Sequence, residues 1–130
     1  MLREIAEQLA ALLPKSYDAL AGLELGGIPL ATMLSQTTGR PTRFIRKKAK
    51  EYGACRFAEG GEIVGRRLLM VEDVVTSGGQ IIESVRALRN EGAIVSDVVC
   101  VIARQSGARQ NLQEENLSLT SLFTSADLRG

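Results

Sequence analysis

Leu2, Ile5, Ala6, Leu9, Leu12 and Leu13 recur at the three-and-four spacing of one helix face, and Pro14 closes the run. The pattern then changes period. Residues 18–23 are short and mostly apolar, which predicts a buried strand, and Gly26-Gly27 marks a turn. Residues 28–35 predict a helix with Pro29 in its first turn, and residues 42–45 a second strand. From 47 to 65 the chain is polar, carries glycines and shows no period; that length suits a functional flap better than a connection. Residues 67–71 form a continuous apolar strand of the kind parallel sheets bury on both faces. Ile81, Ile82, Val85 and Leu88 place a helix over 80–90, stopped by Gly92. A strand over 94–103, kinked at Ser96-Asp97, a helix over 111–116 and a last strand over 117–123 complete the pattern. Strands alternating with helices predict an α/β fold: an open, mostly parallel sheet flanked by helices.

At 130 residues the chain suits one domain, 1–130. A domain of this size buries roughly two-thirds of its unfolded surface, enough for one core. The net charge is +1 and neither half is strongly basic, which argues against a nucleic-acid or membrane surface. No apolar run reaches the roughly 18 residues of a membrane span. Glu4 and Glu7 interrupt the first apolar pattern, unlike a signal peptide. Cys55 and Cys100 make neither a metal cluster nor a disulfide scaffold and read as free thiols of a reducing cytoplasm. The chain has no histidine, which excludes Ser-His-Asp and Cys-His chemistry and His-ligated zinc.

One segment concentrates the chemistry. The apolar strand leads into Glu72-Asp73, then Thr76-Ser77-Gly78-Gly79, then a helix. In open α/β sheets ligands gather beyond the carboxyl ends of strands. Glycines let the backbone approach a phosphate, and the N–H groups opening a helix point toward its charge. Two carboxylates just before such a loop repel a bare phosphate. They fit a phosphorylated polyol whose hydroxyls donate to them. An ordinary strand-to-helix turn with a carboxylate cap has the same spacing. The glycines follow neither the Walker nor the dinucleotide-binding pattern.

An apolar strand, two acids, two apolar residues and Thr-x-Gly-Gly is similar to the diphosphoribose signature of type I phosphoribosyltransferases, without a gap over 68–80. Residues 44–53, Phe-Ile-Arg-Lys-Lys-Ala-Lys-Glu-Tyr-Gly, resemble the catalytic loop of the orotate-specific members. Residues 21–31 resemble their pyrophosphate-binding turn, and residues 101–105 the strand end whose arginine meets orotate. The resemblance implies that Glu72 and Asp73 hold the ribose hydroxyls and act in catalysis together with Lys50. It implies that Val74, Val75, Thr76, Ser77, Gly78, Gly79 and Gln80 wrap the 5′-phosphate. Arg46, Lys47 and Lys50, with the turn at Gly26 and Gly27, would bind the diphosphate; Thr76 and Arg104 would contact orotate. The implied reaction joins orotate to phosphoribosyl diphosphate, giving orotidine 5′-phosphate and pyrophosphate. It needs Mg²⁺, expected through substrate and water rather than protein ligands, and a homodimer with shared active sites.

The chain departs from the family pattern in three places. Tyr52 stands where the loop often has histidine, and Gly26 where some members have lysine. One helix precedes the first core strand, where members usually carry an N-terminal hood over the base, so incomplete base selection, or a truncated or partner-completed form, is expected. Two other readings share the fold: a purine-type phosphoribosyltransferase, and a non-catalytic regulator that binds phosphoribosyl diphosphate.

Overall fold

The computed structural model describes residues 1–46, 57–104 and 107–129. In chain order its elements are α1 (Leu2–Ala10), β1 (Ala19–Leu23), α2 (Gly27–Thr38), β2 (Thr42–Ile45), β3 (Ala58–Glu59), β4 (Arg67–Val75), α3 (Gly79–Asn90), β5 (Ile94–Ala103), α4 (Gly107–Gln113), β6 (Ser118–Thr124) and α5 (Ser125–Arg129). One six-stranded sheet runs in the order β3-β2-β1-β4-β5-β6. Every pairing is parallel except that of β3 with β2.

Side chains alternate across each strand, so each sheet face receives its own apolar set. Ala19, Ala21 and Leu23 of β1, with Leu68 and Met70 of β4, pack with Ile81, Val85 and Leu88 of α3 and Ala108 and Leu112 of α4. Leu20 of β1, with Leu69 and Val71 of β4, packs with Ala6 and Leu9 of α1 and Leu30, Ala31 and Leu34 of α2. With both faces covered, β1 is buried at all five positions. That is why its sequence is continuously apolar rather than alternating.

The structure corrects three expectations. The β4 strand does not end at Val71 but continues through the acidic pair to Val75, because its ladder with β5 persists at Glu72↔Cys100, Val74↔Ile102 and Val75↔Ala103. Helix α4 begins at Gly107 rather than 111, placing Ala108 and Leu112 one turn apart against the core. The stretch from 47 to 65, whose lack of period predicts no element, contains β3, which pairs with Phe44 and Ile45. The kink expected at Ser96-Asp97 is a bulge: Leu68 pairs with Val95 while the next residue, Leu69, pairs with Asp97.

Leu69 sits at the centre of the α1/α2 face at 1% exposure. Its truncation leaves a cavity between sheet and helices that cannot collapse freely. Leu69→Ala should therefore lower the unfolding free energy by about 2–5 kcal/mol in urea titration. A loss below about 0.5 kcal/mol, the size of a typical surface substitution, would contradict this packing.

Candidate active site

The chain leaves β1 toward β2 on one side and leaves β4 toward β5 on the other. The ladder between β1 and β4 ends at Gly22↔Val71. Beyond that pair β1 turns into α2 while β4 runs on to Val75; this switch point at the carboxyl ends is the crevice in which such sheets usually hold ligands.

Both walls of the crevice are built by close backbone approach. A β-carbon on Gly22 would lie 2.8 Å from that of Ala31, so α2 rests directly on β1. A β-carbon on Gly27 would overlap the Val71 carbonyl oxygen, and one on Gly26 would stand 2.5 Å from the Asp73 carboxylate. Gly26 has φ −63° and ψ −29°, which any residue adopts; its requirement is space, not conformation. The turn after β1 thus touches the acidic pair on β4. The peptide bond between Glu24 and Leu25 in this turn is cis.

Asp73 is exposed, and Glu72 is half-buried. Each carboxylate accepts a neighbouring amide: Asp73 N–H donates to Glu72 Oε1 at 3.0 Å, and Val74 N–H to Asp73 Oδ1 at 2.7 Å. These bonds orient both groups, and the one to Val74 uses one of the roughly four acceptor sites of the exposed Asp73 carboxylate.

Glu72 and residues 74–81 wall a cavity of about 80 Å³. Gly78, at φ 93°, turns the chain into α3 in a conformation that side chains avoid. The first amides of any α-helix lack intrahelical partners. Neither α2 nor α3 carries an acid in its own first turn; at the start of α2 the positive end of the dipole meets the Asp73 carboxylate beside Gly26. Two larger cavities, about 300 and 290 Å³, open elsewhere. The first lies at the amino ends of β4 and β5, and the second is lined by Phe57, Glu62 and Glu91; neither includes residues from the loops after β1 or β4. Chemistry and topology, not volume, select the small one.

Thr76 and Arg104 follow Val75↔Ala103, the last pair of the β4–β5 ladder, so they leave adjacent strands side by side. Both are exposed. The backbone of Arg104 is fixed on two sides: its N–H donates to the Val75 carbonyl at 2.8 Å, and Ser125 Oγ donates to its carbonyl at 2.7 Å. Arg46 follows β2, where its N–H donates to the Phe57 carbonyl at 2.9 Å. Next to it, Glu24 N–H donates to the Ile45 carbonyl at 2.8 Å, which ties the β1 turn to the end of β2. Lys47, Lys50 and Tyr52 lie outside the described residues.

Asn111 was not anticipated from the sequence. Its Nδ2 donates to the Ser77 carbonyl at 2.9 Å, from α4 to the loop after β4. The apolar spacing of Ala108 and Leu112 was the signal that could have placed α4 beneath the loop. Cys100 is paired opposite Glu72, and burial pushes its thiol up to about 12, so it stays neutral and unreactive.

Among the described residues no three His, Cys, Asp or Glu side chains gather into a metal cluster. Glu72 and Asp73 supply one or two carboxylates, a set that fits Mg²⁺ held mainly by waters and the phosphates of a substrate.

A family model, the phosphoribosyl transferase domain, matches residues 1–116. Orotate phosphoribosyltransferase from a Nocardioides species is 47% identical over 128 residues, covering 98% of this chain and 72% of that protein. The corresponding Methanopyrus kandleri protein is 41% identical over 130 residues, covering 100% of this chain and 70% of that one. The crystal structure of Mycobacterium tuberculosis orotate phosphoribosyltransferase in complex with 5-phospho-α-D-ribosyl 1-diphosphate superposes with a TM-score of 0.79 at 30% identity, covering 99% of this chain and 74% of that one.

The contact between Gly26 and Asp73 can be tested directly. Gly26→Ala should turn the Asp73 carboxylate aside and weaken phosphoribosyl diphosphate binding about tenfold in calorimetry, the worth of a lost charged hydrogen bond. Its unfolding free energy should stay within about 0.5 kcal/mol of the parent, as for a substitution at an allowed backbone conformation. Undiminished binding would show that the two loops do not act together.

Proposed function

The chain belongs to the phosphoribosyl transferase domain family, alongside orotate phosphoribosyltransferases, and on that premise we propose that it transfers the ribose 5-phosphate of 5-phosphoribosyl 1-diphosphate to orotate, giving orotidine 5′-phosphate and pyrophosphate. The observation that carries the reading is the convergence of three parts at one switch point: the acidic pair, the glycine turn after β1 and the phosphate-sized cavity before α3.

In the reaction the bond from the anomeric carbon to the diphosphate breaks and a bond to a ring nitrogen of orotate forms. The sugar is cation-like between those events. Glu72 and Asp73 accept hydrogen bonds from the ribose hydroxyls and place negative charge beside the developing cation. Residues 74–80 hold the 5′-phosphate through amides and the hydroxyls of Thr76 and Ser77. The turn at Gly26 and Gly27 offers amides to the leaving diphosphate, and Arg46, Lys47 and Lys50 add positive charge. When bound, Mg²⁺ supplies further charge against the departing oxygens. Arg104 pairs with the orotate carboxylate, for which its planar fork is suited, and Thr76 meets the same base. The enzyme works as a cytoplasmic homodimer in pyrimidine nucleotide synthesis, with Lys50 reaching the neighbouring subunit's substrate.

The decisive assay supplies phosphoribosyl diphosphate, Mg²⁺ and either orotate or a purine, and follows base consumption. Orotate should be consumed, and its loss should stop on chelation of the metal. Asp73→Asn should lower kcat/KM by about 10²–10³-fold, the scale of losing one preorganised electrostatic group. Lys50→Ala should be similarly impaired, and mixed Asp73→Asn and Lys50→Ala proteins should regain part of the activity. No recovery despite subunit exchange rules out shared sites; faster use of adenine or hypoxanthine rules out orotate.

Arg104→Ala removes a charged bidentate contact from one substrate only, a loss of about 2–5 kcal/mol. Its KM for orotate should rise far more than its KM for phosphoribosyl diphosphate. Unchanged orotate kinetics would remove Arg104 from the base site.

A further inference from the structure

We infer that Asn111 is a positioning residue that holds the Ser77–Gly78 peptide with its N–H facing the 5′-phosphate; this rests on the phosphate-binding role proposed for the 74–80 loop. The side-chain amide of Asn111 donates to the Ser77 carbonyl at 2.9 Å. In a trans peptide the carbonyl and the following N–H point in opposite directions. Asn111 is not part of the cavity wall, which consists of Glu72 and residues 74–81. The bond draws the carbonyl toward α4, and the lock thereby puts the opposed Gly78 N–H on the side of the cavity that Ser77 and Gly78 line.

A lock is needed because this peptide is easily flipped. Gly78 sits at φ 93°, ψ 0°, and glycine tolerates either sign of φ at little cost. Rotation of the peptide plane would leave the chain path nearly unchanged while replacing a donor with a carbonyl oxygen facing the anion. The Asn111 bond exists in only one of the two orientations. Its base is rigid: Ala108 and Leu112 of α4 are fully buried, the Arg109 guanidinium donates to the Leu119 carbonyl, and Leu112 Cδ2 lies 3.1 Å from where a β-carbon on Gly78 would stand.

The test measures binding of ribose 5-phosphate and, separately, pyrophosphate to the full chain by calorimetry. Asn111→Ala should weaken ribose 5-phosphate about tenfold or more, the value of a charged hydrogen bond. Pyrophosphate, which engages the turn at Gly26 and Gly27, should change by less than about twofold, as expected for a site without shared partners. Asn111→Asp keeps the size but replaces the donor with a carboxylate that repels the Ser77 carbonyl; its loss should equal or exceed that of Asn111→Ala. A residue that only supports the fold would weaken both ligands together and be rescued by the isosteric aspartate. Either that pattern or undiminished ribose 5-phosphate binding by Asn111→Ala overturns the lock alone. Failure of the unaltered protein to bind ribose 5-phosphate overturns both the lock and the phosphoribosyl reading.

Discussion

The close approach of α2 to the sheet is the constraint on which the site depends. Three glycines in six residues permit it. Gly22 lets Ala31 rest on β1, Gly27 leaves room for the Val71 carbonyl, and Gly26 leaves room for the Asp73 carboxylate. With side chains at Gly22 and Gly27 α2 would ride outward, and the turn after β1 would part from the acids on β4. The separation of β1 from β4 after Gly22↔Val71 would then open a wide cleft rather than a fitted one. Packing of an apolar helix face and assembly of a polar site are thus one event.

The same geometry sets the electrostatics. Two helix amino termini face the crevice, and neither carries an acid of its own in the first turn. The negative charge is supplied instead by Glu72 and Asp73, on the strand between them. A plain anion gains from the helix ends but is repelled by the carboxylates. In the proposed arrangement a sugar phosphate satisfies both, with its hydroxyls at the acids and its phosphate at the amides. Selectivity for a phosphorylated polyol follows from the order of charges along one strand–loop–helix unit.

The sequence made the repetitive parts legible. The bounds of β2 and β5 match their expected ranges, and the bulge falls at the expected Ser96-Asp97. Helix α2 runs three residues past its expected end, to Thr38, and is capped by Gly39 at φ 77°, whose N–H donates to the Ser35 carbonyl; that glycine is its stop signal. The extension of β4 past Val71 was hidden because burial falls at the acidic pair while backbone pairing continues, and hydropathy reports only burial. The acids and the glycine loop were recognisable because they are contiguous. The contact of Gly26 with Asp73 and the bond from Asn111 to Ser77 join segments 47 and 34 residues apart, with the second figure set by the bond itself. Such contacts leave no periodic trace in a single chain.

Behind the 74–80 loop, α3 and α4 are joined by packing and by side-chain bonds. Leu112 packs under Gly78, and Glu115, just beyond α4, takes a bidentate pair from Arg86 of α3, at 3.0 and 2.8 Å. That pair holds the Glu115 carboxyl below its usual range through the Arg86 hydrogen bonds. Arg89 adds bonds to the Glu115 and Val95 carbonyls. Helix α3 and the segment after α4 are therefore clasped on the side away from the crevice. Donors fixed before a ligand arrives need not reorganise when charge shifts on the ligand, which is where preorganised sites gain over water. The apolar and ion-paired backing fixes the position of α4, and the Asn111 bond from that helix is what orients the Ser77–Gly78 peptide.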